Sequence, residues 1–226
     1  MTHDVGTATA RLLSTVDNLH GADWAVPSHC AGWSRAHVVA HLALNAEALA
    51  GVLRGIAEGR PRTMYASNDD RDRDIEVLAT QSPDRIRDRL RSAAVAFDAA
   101  LAAAGPVPEG TTFERTPGGQ VMPADVVPVL RLREVEIHHA DLDAGYRWAD
   151  WPLETARSFL DRDVVHYRGP GLTLEPTDHP ARWTVGAADQ GAVVVSGPIG
   201  ALAWWSTGRD PGAVLSSSTG HLPTME

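Results

Sequence analysis

The sequence predicts an α+β chain: a four-helix bundle over residues 1–145 followed by a small α/β domain over residues 146–226. Three observations lead there. Apolar residues recur at helical spacing in four long segments before Gly145. After Gly145 the pattern shifts to short β-rich runs such as Ala192-Val-Val-Val-Ser, separated by Pro, Asp and Gly turns. The 226 residues, 43% hydrophobic and 22% charged, also have an ordinary globular composition and can bury a real core.

The first helix is expected over Val5–His20, on the stripe Leu12, Leu13, Val16 and Leu19. A loop containing Pro27, Cys30 and Gly32 follows, and Trp33-Ser34 opens a second helix with Ser34 as N-cap. On that helix Val38, His41, Leu42, Asn45, Leu49 and Val52 share one face, and it ends near Gly59-Arg60-Pro61. Residues 61–81 are polar, and the alternating charges of Asn68–Asp74 predict a solvated turn or helix start. Ser82-Pro83 begins the third helix, which runs to about Ala104 on Ile86, Leu90, Ala94, Phe97 and Leu101. Gly105–Met122 reads as a long Pro/Gly/Thr loop covering a site or making an irregular crossover. Pro123 opens a fourth helix to about Ala144, and Pro128 in its second turn predicts a slight bend. Beyond it come a helix from Trp151-Pro152 to Tyr167 and strands at Leu172–Glu175, Arg182–Val185 and Ala192–Ser196. A helix from Gly197-Pro198 through Trp205 and a last strand at Ala213–Ser216 complete the chain.

Charge and composition exclude several classes of function. A net charge of −9 disfavours nucleic acid and anionic membranes, and an acidic substrate would need a local arginine. The chain has no lysine, which excludes Schiff-base catalysis. The single cysteine, Cys30, forbids an internal disulfide and fits a reducing compartment. The N-terminal residues show no signal pattern and no apolar run long enough to span a bilayer is apparent, so a cytoplasmic location and no membrane partner are expected. The tryptophans Trp183, Trp204 and Trp205 are expected to pack the domains together, with the chain a monomer.

The chemistry gathers in Arg131–Leu142. On a helix, Glu134 and His138 lie one turn apart on one face and can grip a divalent metal together. The best third ligand is His41, inward-facing on the second helix. A core histidine bonded to a carbonyl and a helix-face Glu–His pair would give the same spacing, so the signals gain weight only together. His37, Glu136, His139 and Cys30 remain competing donors. Two His and one Glu would leave a fourth tetrahedral position open on Zn²⁺, the pattern of a catalytic site.

Three ordered segments resemble the mycothiol-dependent maleylpyruvate isomerase family: Gly32–Ala43, Arg133–Leu142 and Gly197–Arg209. The resemblance implies a DinB-like bundle holding zinc through His41, Glu134 and His138, and a C-terminal domain similar to sterol-carrier folds. It demotes His37, and it places Arg209 against substrate or thiol cofactor. A helix C-cap is the competing role for Arg209. The implied partners are a small-molecule substrate and mycothiol, and the implied activity is the zinc-dependent cis–trans isomerisation of maleylpyruvate to fumarylpyruvate. Thiolate addition, rotation about the former double bond and elimination would accomplish it. A mycothiol S-transferase acting on another electrophile is the alternative, and a non-catalytic metal or thiol sensor with a closed four-ligand site is a third reading.

Overall fold

The computed structural model describes residues 5–187 and 191–224. The chain forms two compact units, Met1–Gly145 and Tyr146–Glu226.

The first unit is built from α1 (Val5–Asp17), α2 (Arg35–Ala57), α3 (Asn68–Ala79), α4 (Pro83–Ala104) and α5 (Val127–Asp141). Leu12 and Val16 of α1, Leu42, Leu49 and Leu53 of α2, Leu90 and Phe97 of α4, and Leu132 and Val135 of α5 form its core, each at most 2% exposed. The central helix is α2, which packs on α3, α4 and α5. By length and composition α2 is apolar enough to cross a bilayer, contrary to the sequence reading, but 72% of that window is buried inside the bundle. Its apolarity therefore reflects its place at the centre of the core.

The structure corrects three local expectations. Asn68–Ala79 is a full helix, α3, with the Ser67 side chain accepting from the Asp70 N–H at 3.0 Å. Only Ile75 of that helix is buried, so it lacks the apolar stripe that announces a helix. Within Gly105–Met122 the chain forms an antiparallel hairpin, β1 (Thr112–Glu114) paired with β2 (Val121–Pro123). Pro123 ends that hairpin, and Pro128 falls in the first turn of α5, where its missing N–H has no intrahelical partner to lose. At that position it costs the helix no hydrogen bond.

The second unit holds α6 (Leu153–His166), α7 (Ile199–Ser206) and a four-stranded sheet. Its strands are β3 (Leu172–Pro176), β4 (Trp183–Val185), β5 (Val193–Gly197) and β6 (Ser216–Ser217), in the order β4-β3-β5-β6. β3 and β5 run parallel; the other pairs are antiparallel. The final strand is shorter than Ala213–Ser216 predicts, because Gly212–Val214 turns as a 3-10 helix. Trp151 stacks edge-on with Phe159 at 5.3 Å and with Trp204 at 5.9 Å, and Trp183 Nε1 donates to Asp161 at 2.8 Å. Trp151, Trp204 and Trp205 are buried, and Trp183 is half-buried.

Candidate metal centre

Three residues tie α5 to α2 and the loop before it. Arg35, at the start of α2, donates through Nε to the Leu142 carbonyl at 2.6 Å and through Nη2 to that of Asp143. The His29 N–H, in the preceding loop, donates to the Asp141 carbonyl at 2.9 Å. Both capture carbonyls left orphaned where a helix ends. At the other end of the contact Arg131, 1% exposed, donates from α5 to Leu42 O and Asn45 Oδ1 of α2, each at 2.9 Å. Running antiparallel between these ties, the two helices bring His41 opposite Glu134 and His138.

His41 Nε2 lies 2.8 Å from Glu134 Oε2, and His138 Nε2 lies 3.4 Å from the same oxygen. The imidazoles meet edge-on with centroids 4.6 Å apart, and the three donor atoms all fall within 4.8 Å of one another. The edge of a tetrahedron around zinc with bonds of ~2.1 Å is roughly 3.4 Å. The His138–Glu134 separation equals that value and the His41–Glu134 separation, a hydrogen-bond distance, falls about 0.6 Å short of it; two imidazoles with one carboxylate suit zinc, so the residues fit the ion with a small parting of His41 and Glu134. His41 is 4% exposed, His138 16% and Glu134 32%, so the cluster's most exposed member is the carboxylate.

Electrostatics keep Glu134 available as an anion. Burial alone would raise its pKa, but the His41 and His138 imidazoles hold it well below the usual carboxylate range. Burial dominates at His41 and lowers its pKa, favouring the neutral ring that ligates metals. At His138 burial is outweighed by hydrogen bonds to Asp141, Cys30 and Glu134, and its pKa is raised well above normal.

Sequence reasoning did not single out Asp141. It is 0% exposed, and its Oδ2 sits 2.8 Å from His138 Nδ1. The Cys30 thiol donates to the same oxygen at 3.2 Å and lies 3.8 Å from His138 Nδ1. Cys30, His138 and Asp141 thus form a second set of converging donors. A neutral imidazole has one lone pair, so His138 serves one set as ligand and turns an N–H toward the other. Asp141 as acceptor of Nδ1–H leaves Nε2 free for the ion, the carboxylate–histidine–metal arrangement common behind metal ligands. The signal was present as an aspartate three residues after the histidine.

Within the first unit His37, Glu136 and His139 have other partners. His37 Nδ1 accepts from the Ser34 N–H at 3.3 Å, and its Nε2 is 3.2 Å from Glu76. Glu136 receives Arg11 at 2.6 Å, and His139 Nε2 meets Thr15 Oγ1 at 2.8 Å; both lie against α1. Arg209 belongs to the second unit, where it donates to the Thr207 carbonyl at 3.0 Å and lies 5.4 Å over the Trp204 ring.

A helical bundle with two histidines and one carboxylate converging from facing helices is an arrangement that could hold a metal ion. The family model of the mycothiol maleylpyruvate isomerase N-terminal domain matches residues 5–143, and the chain belongs to that family. The whole chain is similar to the crystal structure of a mycothiol-dependent maleylpyruvate isomerase, with a TM-score of 0.88 and 27% identity over 97% of this chain and 92% of that one. A histidine-to-alanine variant of a mycothiol-dependent maleylpyruvate isomerase matches with a TM-score of 0.84 and 28% identity, at the same coverage. No curated protein matches.

Proposed function

We propose that this chain is a mycothiol-dependent maleylpyruvate isomerase that holds zinc through His41, Glu134 and His138. The observation carrying this reading is the convergence of these donors from α2 and α5 in a cluster whose carboxylate remains 32% exposed. Family membership and the likeness of both units to an isomerase of that name support the substrate and the thiol. When bound, the ion would keep the cofactor's thiol deprotonated at neutral pH, where a free thiol is mostly protonated.

The chain's residues contribute position and charge. Glu134 offsets one of the ion's two charges, so a ligand at the open position retains more electron density than beside three neutral histidines. Asp141 holds the His138 ring with Nε2 turned to the cluster. The Trp33 ring packs against the His41 ring with centroids 5.5 Å apart. Both His37 nitrogens are engaged outside the cluster, which favours an open catalytic site over a closed sensor site. Arg209 is assigned to the substrate or the thiol by its place in the Gly197–Arg209 segment.

Elemental analysis tests the ligand set. The wild-type chain should carry one zinc, and His41→Ala and His138→Ala should lose both zinc and isomerisation. Stoichiometric zinc in His41→Ala would sink the assignment.

A further inference from the structure

An anionic substrate approaching a chain of net charge −9 needs a local cation at the point of reaction. Arg131 lies close by, but it is 1% exposed and occupied with Leu42 and Asn45. Arg71 of α3 is placed differently. Its side chain is 20% exposed, its Nη1 pairs with Asp72, and its Nη2 is 3.4 Å from His41 Nδ1. Its guanidinium carbon lies 5.9 Å over the Tyr65 ring, whose hydroxyl is hydrogen-bonded to Asn45 and Arg71.

The contact with His41 changes when that ring ligates a metal. For Arg71 Nη2 to donate to Nδ1, the ring's one lone pair must be at Nδ1. A ring giving its Nε2 lone pair to a metal carries its proton on Nδ1 and faces Arg71 with a second donor. Nη2 must then find another acceptor. Arg71 also lines a cleft of about 290 Å³ with Tyr65, Glu47, Asp70 and Asp74, and the three carboxylates there would repel an anion. A substrate carboxylate held beside His41 would supply the acceptor that Nη2 then needs.

We propose that Arg71 is a specificity-determining residue that binds one carboxylate of the dicarboxylate substrate beside His41, with Tyr65 steadying the guanidinium. The inference rests on the isomerase reading. A charge-assisted hydrogen bond of this kind corresponds to a change of about ten- to hundredfold in binding.

The test compares zinc-loaded wild type, Arg71→Ala and Arg71→Lys in isomerisation kinetics, and titrates each calorimetrically with maleate, a cis-dicarboxylate. Arg71→Ala should raise KM for maleylpyruvate and weaken maleate at least tenfold, leaving zinc content and KM for mycothiol at wild-type values. Arg71→Lys should recover part of the loss. Unchanged KM and unchanged maleate affinity in Arg71→Ala would overturn the proposal, as would a loss of zinc or an equal rise in both KM values. A wild-type enzyme that produces no fumarylpyruvate would instead overturn the isomerase reading beneath it.

Discussion

His138 can present Nε2 to a metal only while its other nitrogen keeps a proton, and Asp141 is the buried acceptor for that proton. Asp141→Asn preserves shape but removes the charge, and outer-shell losses of this kind typically cost ten- to hundredfold in metal affinity. Competition against a chelator of known affinity should show a drop of about that size, with the helical circular dichroism of the wild type. Cys30→Ser should leave zinc affinity near wild type; a large loss would move the ion to the Cys30, His138 and Asp141 donors. The neighbouring His139 makes a separate prediction. Burial and then Arg11 lower its pKa to about 3, so the folded chain keeps it neutral while the unfolded chain protonates near 6.5. Between those values the unfolded state binds more protons, so stability falls with falling pH. This histidine alone should remove about 2 kcal/mol between pH 7 and pH 5. In urea titrations at the two pH values, His139→Gln should flatten that part of the slope. Helical spacing made Glu134 and His138 legible as candidates and the apolar face of α2 pointed to His41; Asp141 carries only its spacing of three residues from His138, and nothing local marks Arg71. Arg71 sits in an alternating-charge run that reads as solvated surface, and its contact with His41 exists only once α3 packs on α2.

Among the elements, α2 carries most of the burden, and Gly55 near its end shows how propensity yields to packing. Replacing a helical glycine with alanine ordinarily gains about 0.5–1 kcal/mol. A Cβ on Gly55, however, would stand 2.6 Å from Arg60 O and 2.8 Å from Arg62 Cγ, where the chain folds back over the helix end. Gly55→Ala is therefore expected to lower the urea midpoint; a raised midpoint would mean the 60–62 segment yields freely. The helices with apolar stripes and clear caps were legible to within a few residues: α4 begins at Pro83 behind Ser82, and α2 at Arg35 behind Ser34. The elements missed have little burial of their own. α3 buries only Ile75, and β1 and β2 are three residues each and bury one residue apiece. Their structure depends on partners distant in sequence: Met64 N–H donates to Glu114 O at 3.1 Å and Tyr65 N–H to Arg115 O at 3.0 Å, which ties the hairpin to the segment carrying Tyr65.

For the molecule as a whole, metal binding and folding should be linked through the first unit, because α2 and α5 bring the donors together only when packed. Free zinc at a hundred times its dissociation constant should add about 2.7 kcal/mol, and chelation should remove it. The thermal transition of the wild type should therefore rise with zinc, and that of His138→Ala should not. Composition and charge favoured a small molecule over nucleic acid or a membrane, but the maleylpyruvate and mycothiol reading came from resemblance, since helical spacing marks metal donors and not the substrate. The most direct test of the central claim is a proton NMR time course of zinc-loaded protein with maleylpyruvate and a sub-stoichiometric amount of mycothiol. The account predicts fumarylpyruvate accumulating over many turnovers per thiol while the thiol titre stays constant. Thiol consumed one-for-one with substrate, or no fumarylpyruvate at all, would contradict it.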